Sequence, residues 1–147
     1  MKPLRLGHIH LKVRDLDRSI QFYQEILGLN VTEQVGSFAF LSDGKIHHSL
    51  ALQALGLEAR PPTPFSVGLY HVAFEVDTAA ELALAYHEAE KHGRVDAVDH
   101  GISWAIYFQD PDGNGLEIYL DRREATTGRP IWDGWQAPLA LERVLAG

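Results

Sequence analysis

The composition of the chain limits both its architecture and its chemistry. It has 147 residues, of which 46% are hydrophobic and 22% are charged, so it is long enough for one domain with a sizeable core. The formal charge of −7 argues against nucleic-acid binding, which depends on clustered basic side chains. No apolar run is long enough for a membrane helix, and the N-terminus lacks the apolar core of a signal peptide. We therefore expect a cytoplasmic protein.

The chain contains no cysteine and eight histidines. Disulfides, thiolate-bound metals and thiol nucleophiles are therefore excluded. Any bound metal needs nitrogen and oxygen ligands, so the histidines and carboxylates carry most of the information about chemistry.

The first half of the chain predicts a strand, a helix and three further strands. This module covers 4–54 and begins with a strand over 6–13. In the helix that follows, Asp17 can cap the start and Gly28 can mark the end. The remaining elements are three short strands, at 30–36, 38–42 and 46–54.

The same order of elements repeats after a linker over 55–67 that contains the sequence RPPTP. In this second module, 68–121, Thr78 can cap the helix and Gly93 can end it. The predicted strands are 68–76, 94–98, 103–109 and 116–120. One such module is too small to bury both faces of its own sheet. We therefore expect the two to pack together, or with those of a partner, in a single α+β domain spanning 1–147.

The last segment, 122–147, departs from the repeated order. It contains two tryptophans and ends in a short amphipathic stretch. These features predict a tail that packs over the domain or across a dimer interface, and exposed sheet edges also favour a homodimer.

Three residues form a candidate metal site. His8 and His71 fall at the same step of the first strand in each module, and Glu117 stands among apolar residues in the last strand of the second. Either histidine alone would be read more simply as a core or surface residue, but the repetition favours a shared role. Two imidazoles and one carboxylate are the ligands that hold a non-haem ferrous ion and leave positions open. The predicted metal ligands are therefore His8, His71 and Glu117.

These motifs resemble the vicinal oxygen chelate superfamily, which contains glyoxalases, bleomycin resistance proteins and extradiol dioxygenases. The resemblance runs over 6–122 and rests on GHIHLKVRDLDRSIQFYQEILGL, LYHVAFEV and YFQDPDGNGLEIY. It implies that paired βαβββ modules form a cupped mixed sheet around a metal. It also implies that His8, His71 and Glu117 are the ligands of that metal.

Within the superfamily, the chain most resembles single-domain extradiol ring-cleavage dioxygenases of the catechol 2,3-dioxygenase type. The segment HHSLAL resembles the one in which these enzymes carry their acid-base histidine, which implies that role for His48. Tyr107 lies ten residues before Glu117, as their hydrogen-bonding tyrosine does. His100 resembles a loop histidine near their site. The predicted catalytic residues are therefore His48, Tyr107 and His100.

Glyoxalase-like relatives use a fourth ligand from the last strand of the first module. That strand has no carboxylate here, and Gln53 lies an odd number of residues from His48. A regular strand cannot present both side chains to the same face.

The main hypothesis is a metal-dependent dioxygenase that cleaves a catechol-like aromatic diol with O2, using Fe(II), or else Mn(II) or another divalent metal. The alternatives are a glyoxalase-like lyase, an antibiotic-modifying thiol transferase, or a metal-free bleomycin-type binding protein. The binding protein would use an aromatic groove formed by Trp104, Tyr119 and the tail tryptophans. No nucleic-acid or membrane partner is expected, and His8 could complete the site of its own chain or of a partner.

Overall fold

The computed structural model describes residues 1–146 and has a mixed α+β architecture, so the last position of the predicted tail lies outside the described residues. The chain divides into two compact units. Unit 1 is Met1–Ser66 with Pro111–Asn114, and unit 2 is Val67–Asp110 with Gly115–Gly147. Each unit contains one βαβββ module with its own mixed sheet, which confirms the predicted paired modules. None of the helices within residues 1–146 is long and apolar enough to cross a membrane.

Unit 1 is a four-stranded sheet with one helix packed on it. Its strands run in the order β1-β4-β3-β2, with β1 parallel to β4 and the other neighbours antiparallel. Leu11, Leu41 and Leu52 are buried on the face that meets the helix, together with Phe22 and Ile26 of the helix. The elements are β1 (Ile9–Val13), α1 (Leu16–Leu27), β2 (Asn30–Val35), β3 (Phe38–Ser42) and β4 (Leu50–Ala54).

Helix α1 begins two residues earlier than predicted. Its N-terminal cap is Asp15, whose carboxylate accepts a hydrogen bond from the backbone N–H of Arg18 at 2.9 Å. Asp15 has extended backbone angles, which direct its side chain at the free N–H groups of the first turn. The predicted cap, Asp17, lies inside that turn instead, where its charge favours the helix dipole. The helix ends at Gly28, as predicted.

A short turn completes unit 1. Asp112 is only 4% exposed and accepts hydrogen bonds from Arg14 Nε and Arg18 Nη2, both at 2.8 Å. The side-chain amide of Asn114 donates to the backbone carbonyl of Lys12 at 3.1 Å. A buried carboxylate is stable only when it is paired and hydrogen-bonded, so these contacts satisfy Asp112 and tie the turn to the region where β1 passes into α1.

Unit 2 repeats the arrangement with one strand and one helix added. Its sheet has the order β5-β8-β7-β6-β9, with β5 parallel to β8, and α2 packs on one face. The short strand β9 was not predicted; it extends the sheet by pairing with β6. The elements are β5 (Val72–Val76), α2 (Ala79–Glu90), β6 (Asp96–Asp99), β7 (Ser103–Gln109), β8 (Gly115–Asp121), β9 (Ala137–Pro138) and α3 (Leu141–Ala146).

Thr78 caps α2, as predicted. Its side chain accepts from the N–H of Glu81, and the Glu81 carboxylate accepts from the N–H of Thr78, which is a complete capping box. The helix ends at Glu90, before the predicted end at Gly93. The N–H groups of the residues that follow bond to carbonyls three positions back, so the last turn tightens and closes the helix early.

Four strands, β1, β4, β5 and β6, begin later than predicted, and the first three shifts change the setting of the predicted histidines. β1 begins at Ile9, β4 at Leu50 and β5 at Val72, so His8, His48 and His71 all stand just before a strand. The strands begin where their partners can form a ladder, since Ile9 pairs with Leu50 and Val72 pairs with Leu116.

Candidate metal and catalytic site

The register of the unit 2 sheet places several polar side chains on one face. Glu117 on β8 is paired with Ala73 on β5 and with Tyr107 on β7. Paired residues of neighbouring strands point to the same face, and alternate residues of one strand share a face. Tyr107 and Glu117 therefore lie on the face opposite to α2. His71 stands one residue before β5, and its contact with Glu117 brings it to the same face.

Four of the predicted site residues are joined in one chain of contacts. His71 Nε2 lies 2.8 Å from Glu117 Oε2. The hydroxyl of Tyr107 donates to Glu117 Oε1 at 3.1 Å, and His100 Nε2 lies 2.8 Å from the same hydroxyl oxygen. Glu117 is only 9% exposed. The acid that stands among apolar residues in the sequence is thus a buried carboxylate with a partner at each oxygen.

The protonation state of Tyr107 determines the direction of these hydrogen bonds. Burial raises the pKa of Tyr107 well above its ordinary value, and the Glu117 carboxylate raises it further. The phenol is therefore protonated at neutral pH. Because it has a single hydrogen, which it donates to Glu117, His100 must donate its Nε2–H to the phenol oxygen.

The pair of His71 and Glu117 fits a divalent metal. Two ligand atoms that lie about 2.0–2.2 Å from one ion, at a right angle, are separated by roughly 3 Å. The observed separation of 2.8 Å between His71 Nε2 and Glu117 Oε2 is that of a hydrogen-bonded imidazole–carboxylate pair, and it is also close to this value, so a metal ion could replace the shared proton. The other ring nitrogen of His71, Nδ1, is buried and has no hydrogen-bond partner among residues 1–146, so this ring is not fully satisfied by the protein. Imidazole and carboxylate donors suit iron, manganese and zinc alike.

Among residues 1–146, no cluster of three or more His, Asp or Glu side chains is placed to hold a metal ion. The structure brings two of the predicted ligands together, His71 and Glu117. The third, His8, belongs to unit 1.

In unit 1, His8 and His48 lie side by side, with their ring centroids 4.6 Å apart. A hydrogen bond of 3.0 Å from the Ile9 N–H to the Ser49 carbonyl aligns the residues that precede β1 and β4. Partial burial lowers the pKa of His48, and the nearby rings of His8, His47 and His10 lower it further. The neutral ring that results has one nitrogen lone pair, as a proton acceptor needs.

His48 and Gln53 are not related by strand alternation, contrary to the prediction. β4 begins at Leu50, so His48 does not lie in the strand and alternation does not govern its direction. The register identifies a different position as the match of Glu117. Ala51 pairs with His10 and Phe40, as Glu117 pairs with Ala73 and Tyr107. The equivalent position in the first module therefore carries a methyl group and no ligand.

His47, which the sequence indicates is solvated, is exposed, but its contacts with His48 and Glu33 were not predicted. His47 Nδ1 lies 2.9 Å from His48 Nδ1, and its Nε2 lies 3.0 Å from Glu33 Oε2. The doubled histidine in IHHSL was a usable signal for His47. Glu33 gave none, because it comes from β2 and reaches His47 only through the fold.

The aromatic groove proposed for a metal-free binding protein is not formed as predicted. Trp104 is paired with Leu120, and Tyr119 is paired with Ala105. Trp104 and Tyr119 therefore point to opposite faces of the unit 2 sheet and cannot line one groove. Trp104 is buried under the guanidinium of Arg122, 4.0 Å from the ring centroid.

Comparisons with known proteins agree with this fold. Residues 5–118 match the family described as Glyoxalase/Bleomycin resistance protein/Dioxygenase superfamily. A solved structure, the glyoxylase/bleomycin resistance protein/dioxygenase domain from Frankia sp. EAN1pec, has a TM-score of 0.69 and 25% identity. That match covers 82% of this chain and 100% of the other. The chain belongs to this superfamily.

Two curated relatives are named as dioxygenases. Catechol-2,3-dioxygenase of Bacillus subtilis (strain 168) is 37% identical over 131 residues, which cover 84% of this chain and 44% of that protein. Biphenyl-2,3-diol 1,2-dioxygenase 3 of Rhodococcus globerulus is 36% identical over 123 residues, which cover 80% of this chain and 63% of that protein. The chain thus spans less than two thirds of the length of either relative.

Proposed function

We propose that this protein is a metal-dependent dioxygenase that opens the aromatic ring of a catechol-like diol with O2. The observation that carries the proposal is the connected set of His71, Glu117, Tyr107 and His100 on one sheet face. It offers metal-binding donors next to a phenol and an imidazole that can hold the oxygens of a diol. The two curated relatives named as dioxygenases support the same reaction class.

The proposed metal ligands are His8, His71 and Glu117. His8 is included because it holds the same position before its strand as His71 does, one residue ahead of β1 and β5 respectively. Fe(II) is the proposed metal, with Mn(II) or another divalent ion as the alternatives. A ferrous ion on these ligands would supply open positions for both diol oxygens and for O2.

The proposed roles of the other residues follow from their hydrogen bonds. Tyr107 donates its only hydrogen to Glu117 and so holds the carboxylate in one orientation. It can turn that hydrogen to a diol oxygen and stabilise negative charge there. His100 donates to the phenol oxygen and orients it. The neutral ring of His48 accepts a proton from the diol and returns it later in the reaction.

The direct test is oxygen uptake by protein loaded with Fe(II) under nitrogen. On mixing with air and either catechol or biphenyl-2,3-diol, we expect consumption of one O2 per diol and a yellow ring-opened product. Absence of both signals with both diols, from protein that carries stoichiometric iron, would overturn the proposal. Conversion of a hemithioacetal under nitrogen would instead favour a glyoxalase-like lyase.

We further propose a homodimer, and a mixing experiment shows which chain supplies His8. His8→Ala and Glu117→Ala are each expected to be inactive. If His8 completes the site of a partner, refolding the two variants together restores about a quarter of the wild-type activity, because half of the dimers are mixed and each has one intact site. If each chain completes its own site, the mixture stays inactive.

A further inference from the structure

The C-terminal tail of unit 2 is bound to the loop that carries His100. The backbone N–H of Arg122 donates to the carbonyl of Ile102 at 2.7 Å, and the N–H of Arg129 donates to the carbonyl of Gly101 at 2.9 Å. Both carbonyls lie directly after His100 in the sequence. The tail is therefore attached to this loop by backbone hydrogen bonds at two points.

Two glycines make this attachment possible. Gly101 has a φ of +78°, and a Cβ there would lie 2.5 Å from the Arg129 side chain. A Cβ at Gly128 would overlap the carbonyl oxygen of Arg122. Any other residue at either position would push the tail away or strain the loop. The tail is therefore held in one specific position against the loop.

In this position of the tail, Trp132 lies beside His100. The two ring centroids are 6.2 Å apart in an edge-on arrangement, and the indole N–H of Trp132 donates to the carbonyl of Trp135 at 2.9 Å. The indole is thus fixed on two sides, yet 55% of the residue remains exposed. Aromatic side chains beside a few convergent polar groups line many ligand-binding sites, and the half-exposed indole of Trp132 next to His100 has this setting.

We propose that Trp132 is a specificity-determining residue that contacts the apolar part of the diol, so that the site prefers diols with a second ring. This inference rests on the proposed function. His71, Glu117, Tyr107 and His100 offer polar atoms, which suit the diol oxygens. Trp132 adjoins the last member of that set and offers an aromatic face to the hydrocarbon.

The test is a comparison of binding constants. Fe(II)-loaded protein is titrated under nitrogen with catechol and with biphenyl-2,3-diol, using calorimetry, so that no turnover is needed. Trp132→Ala should weaken binding of biphenyl-2,3-diol about tenfold and that of catechol less than about twofold. Trp132→Phe, which keeps an aromatic ring, should stay within about threefold of wild type for both. Ile131→Ala, a neighbouring exposed apolar residue of the tail, is the matched control and should leave both constants unchanged.

Fluorescence provides a second measurement. Biphenyl-2,3-diol should quench part of the tryptophan emission of the wild-type protein, and Trp132→Phe should lose that quenching while it still binds. Equal weakening for both diols in Trp132→Ala, or no weakening for either, would overturn this inference alone. Wild-type protein that binds neither diol would overturn the proposed function and this inference with it.

Discussion

The two units have the same strand order but differ at the positions that matter for chemistry. His8 and His71 stand one residue before the first strand of their units. At the paired positions further along, unit 1 has Phe40 and Ala51 where unit 2 has Tyr107 and Glu117. Both units thus carry a histidine before their first strand, but only unit 2 carries the carboxylate and its phenol partner at these positions. The hydrogen bonds and register of a module determine where each side chain points. The identity of single residues at those positions determines whether the module can bind a metal.

A second difference lies at the far edge of each sheet. In unit 1 the sheet ends at β2, whose pairing with β3 is interrupted by a register shift between Val31 and Glu33. In unit 2 the edge is extended by β9, and the tail around it holds Trp132 beside His100. An irregular edge and a covered edge both limit pairing with other strands. The tail beside the covered edge also carries Trp132, the residue that we propose contacts the diol.

The largest expected effect comes from removing Glu117, the carboxylate that unit 2 has and unit 1 lacks. Glu117→Ala should reduce bound metal from about one ion per chain to a trace and lower turnover at least about 10³-fold, because the anionic ligand is lost. Metal content by mass spectrometry and oxygen uptake are the measurements. Glu75→Ala is the matched control, since Glu75 is an exposed carboxylate on the same sheet face whose partner is Tyr119.

Retention of the metal by the Glu117→Ala protein would contradict this prediction. A Glu117→Ala protein with wild-type metal content would show that the ion is held elsewhere. The proposal that Glu117 of unit 2 is the anionic metal ligand would then be wrong.

The shared scaffold predicts equal losses of stability from matched core substitutions. Leu52 on β4 pairs with Leu11, and Ile118 on β8 pairs with Phe74, so the two residues occupy equivalent positions. Both are buried. Leu52→Ala and Ile118→Ala should each lower the free energy of unfolding by about 3 kcal/mol, through lost apolar burial and the cavity left behind. Urea denaturation measures this, and losses that differ by more than about twofold would argue against equivalent cores.

The phenol that distinguishes unit 2 should affect catalysis more than stability. Tyr107→Phe removes the hydrogen bond to Glu117 and should lower kcat by about 10- to 100-fold while metal content stays at the wild-type level. Tyr119→Phe is the control, because Tyr119 also donates to a carboxylate, Glu75, on the same face. Its kcat should change by less than about twofold. An unchanged kcat in Tyr107→Phe would remove Tyr107 from the proposed mechanism.

The smallest expected effects concern the helix caps, which the two units build differently. Asp15 caps α1 with a single side-chain bond, whereas Thr78 caps α2 within a capping box. Asp15→Ala and Thr78→Ala should each cost about 1 kcal/mol of unfolding free energy. Thermal unfolding followed by circular dichroism measures both. Loss of activity in either variant with its stability unchanged would contradict a purely structural role.

The repeated order of elements and the choice of candidate residues could be predicted because both are local properties of the sequence. Apolar spacing identifies helices and strands, Thr78 has the hydroxyl that an N-terminal cap requires, and Gly28 has no Cβ and so adopts the left-handed conformation that ends a helix. The position of Glu117 among apolar residues and the ten-residue spacing to Tyr107 were likewise visible, and the structure pairs these two residues directly. Asp15 and Asp17 are chemically equivalent, so only backbone geometry could select the true cap.

What the tertiary structure alone decided is which residues meet. Strand pairing set the starts of β1, β4 and β5, and so placed His8, His48 and His71 ahead of their strands. Register put Trp104 and Tyr119 on opposite faces and identified Ala51 as the match of Glu117. Sequence by itself specifies side-chain chemistry and local periodicity. It leaves open register and tail placement, because these depend on hydrogen bonds between segments far apart in the chain.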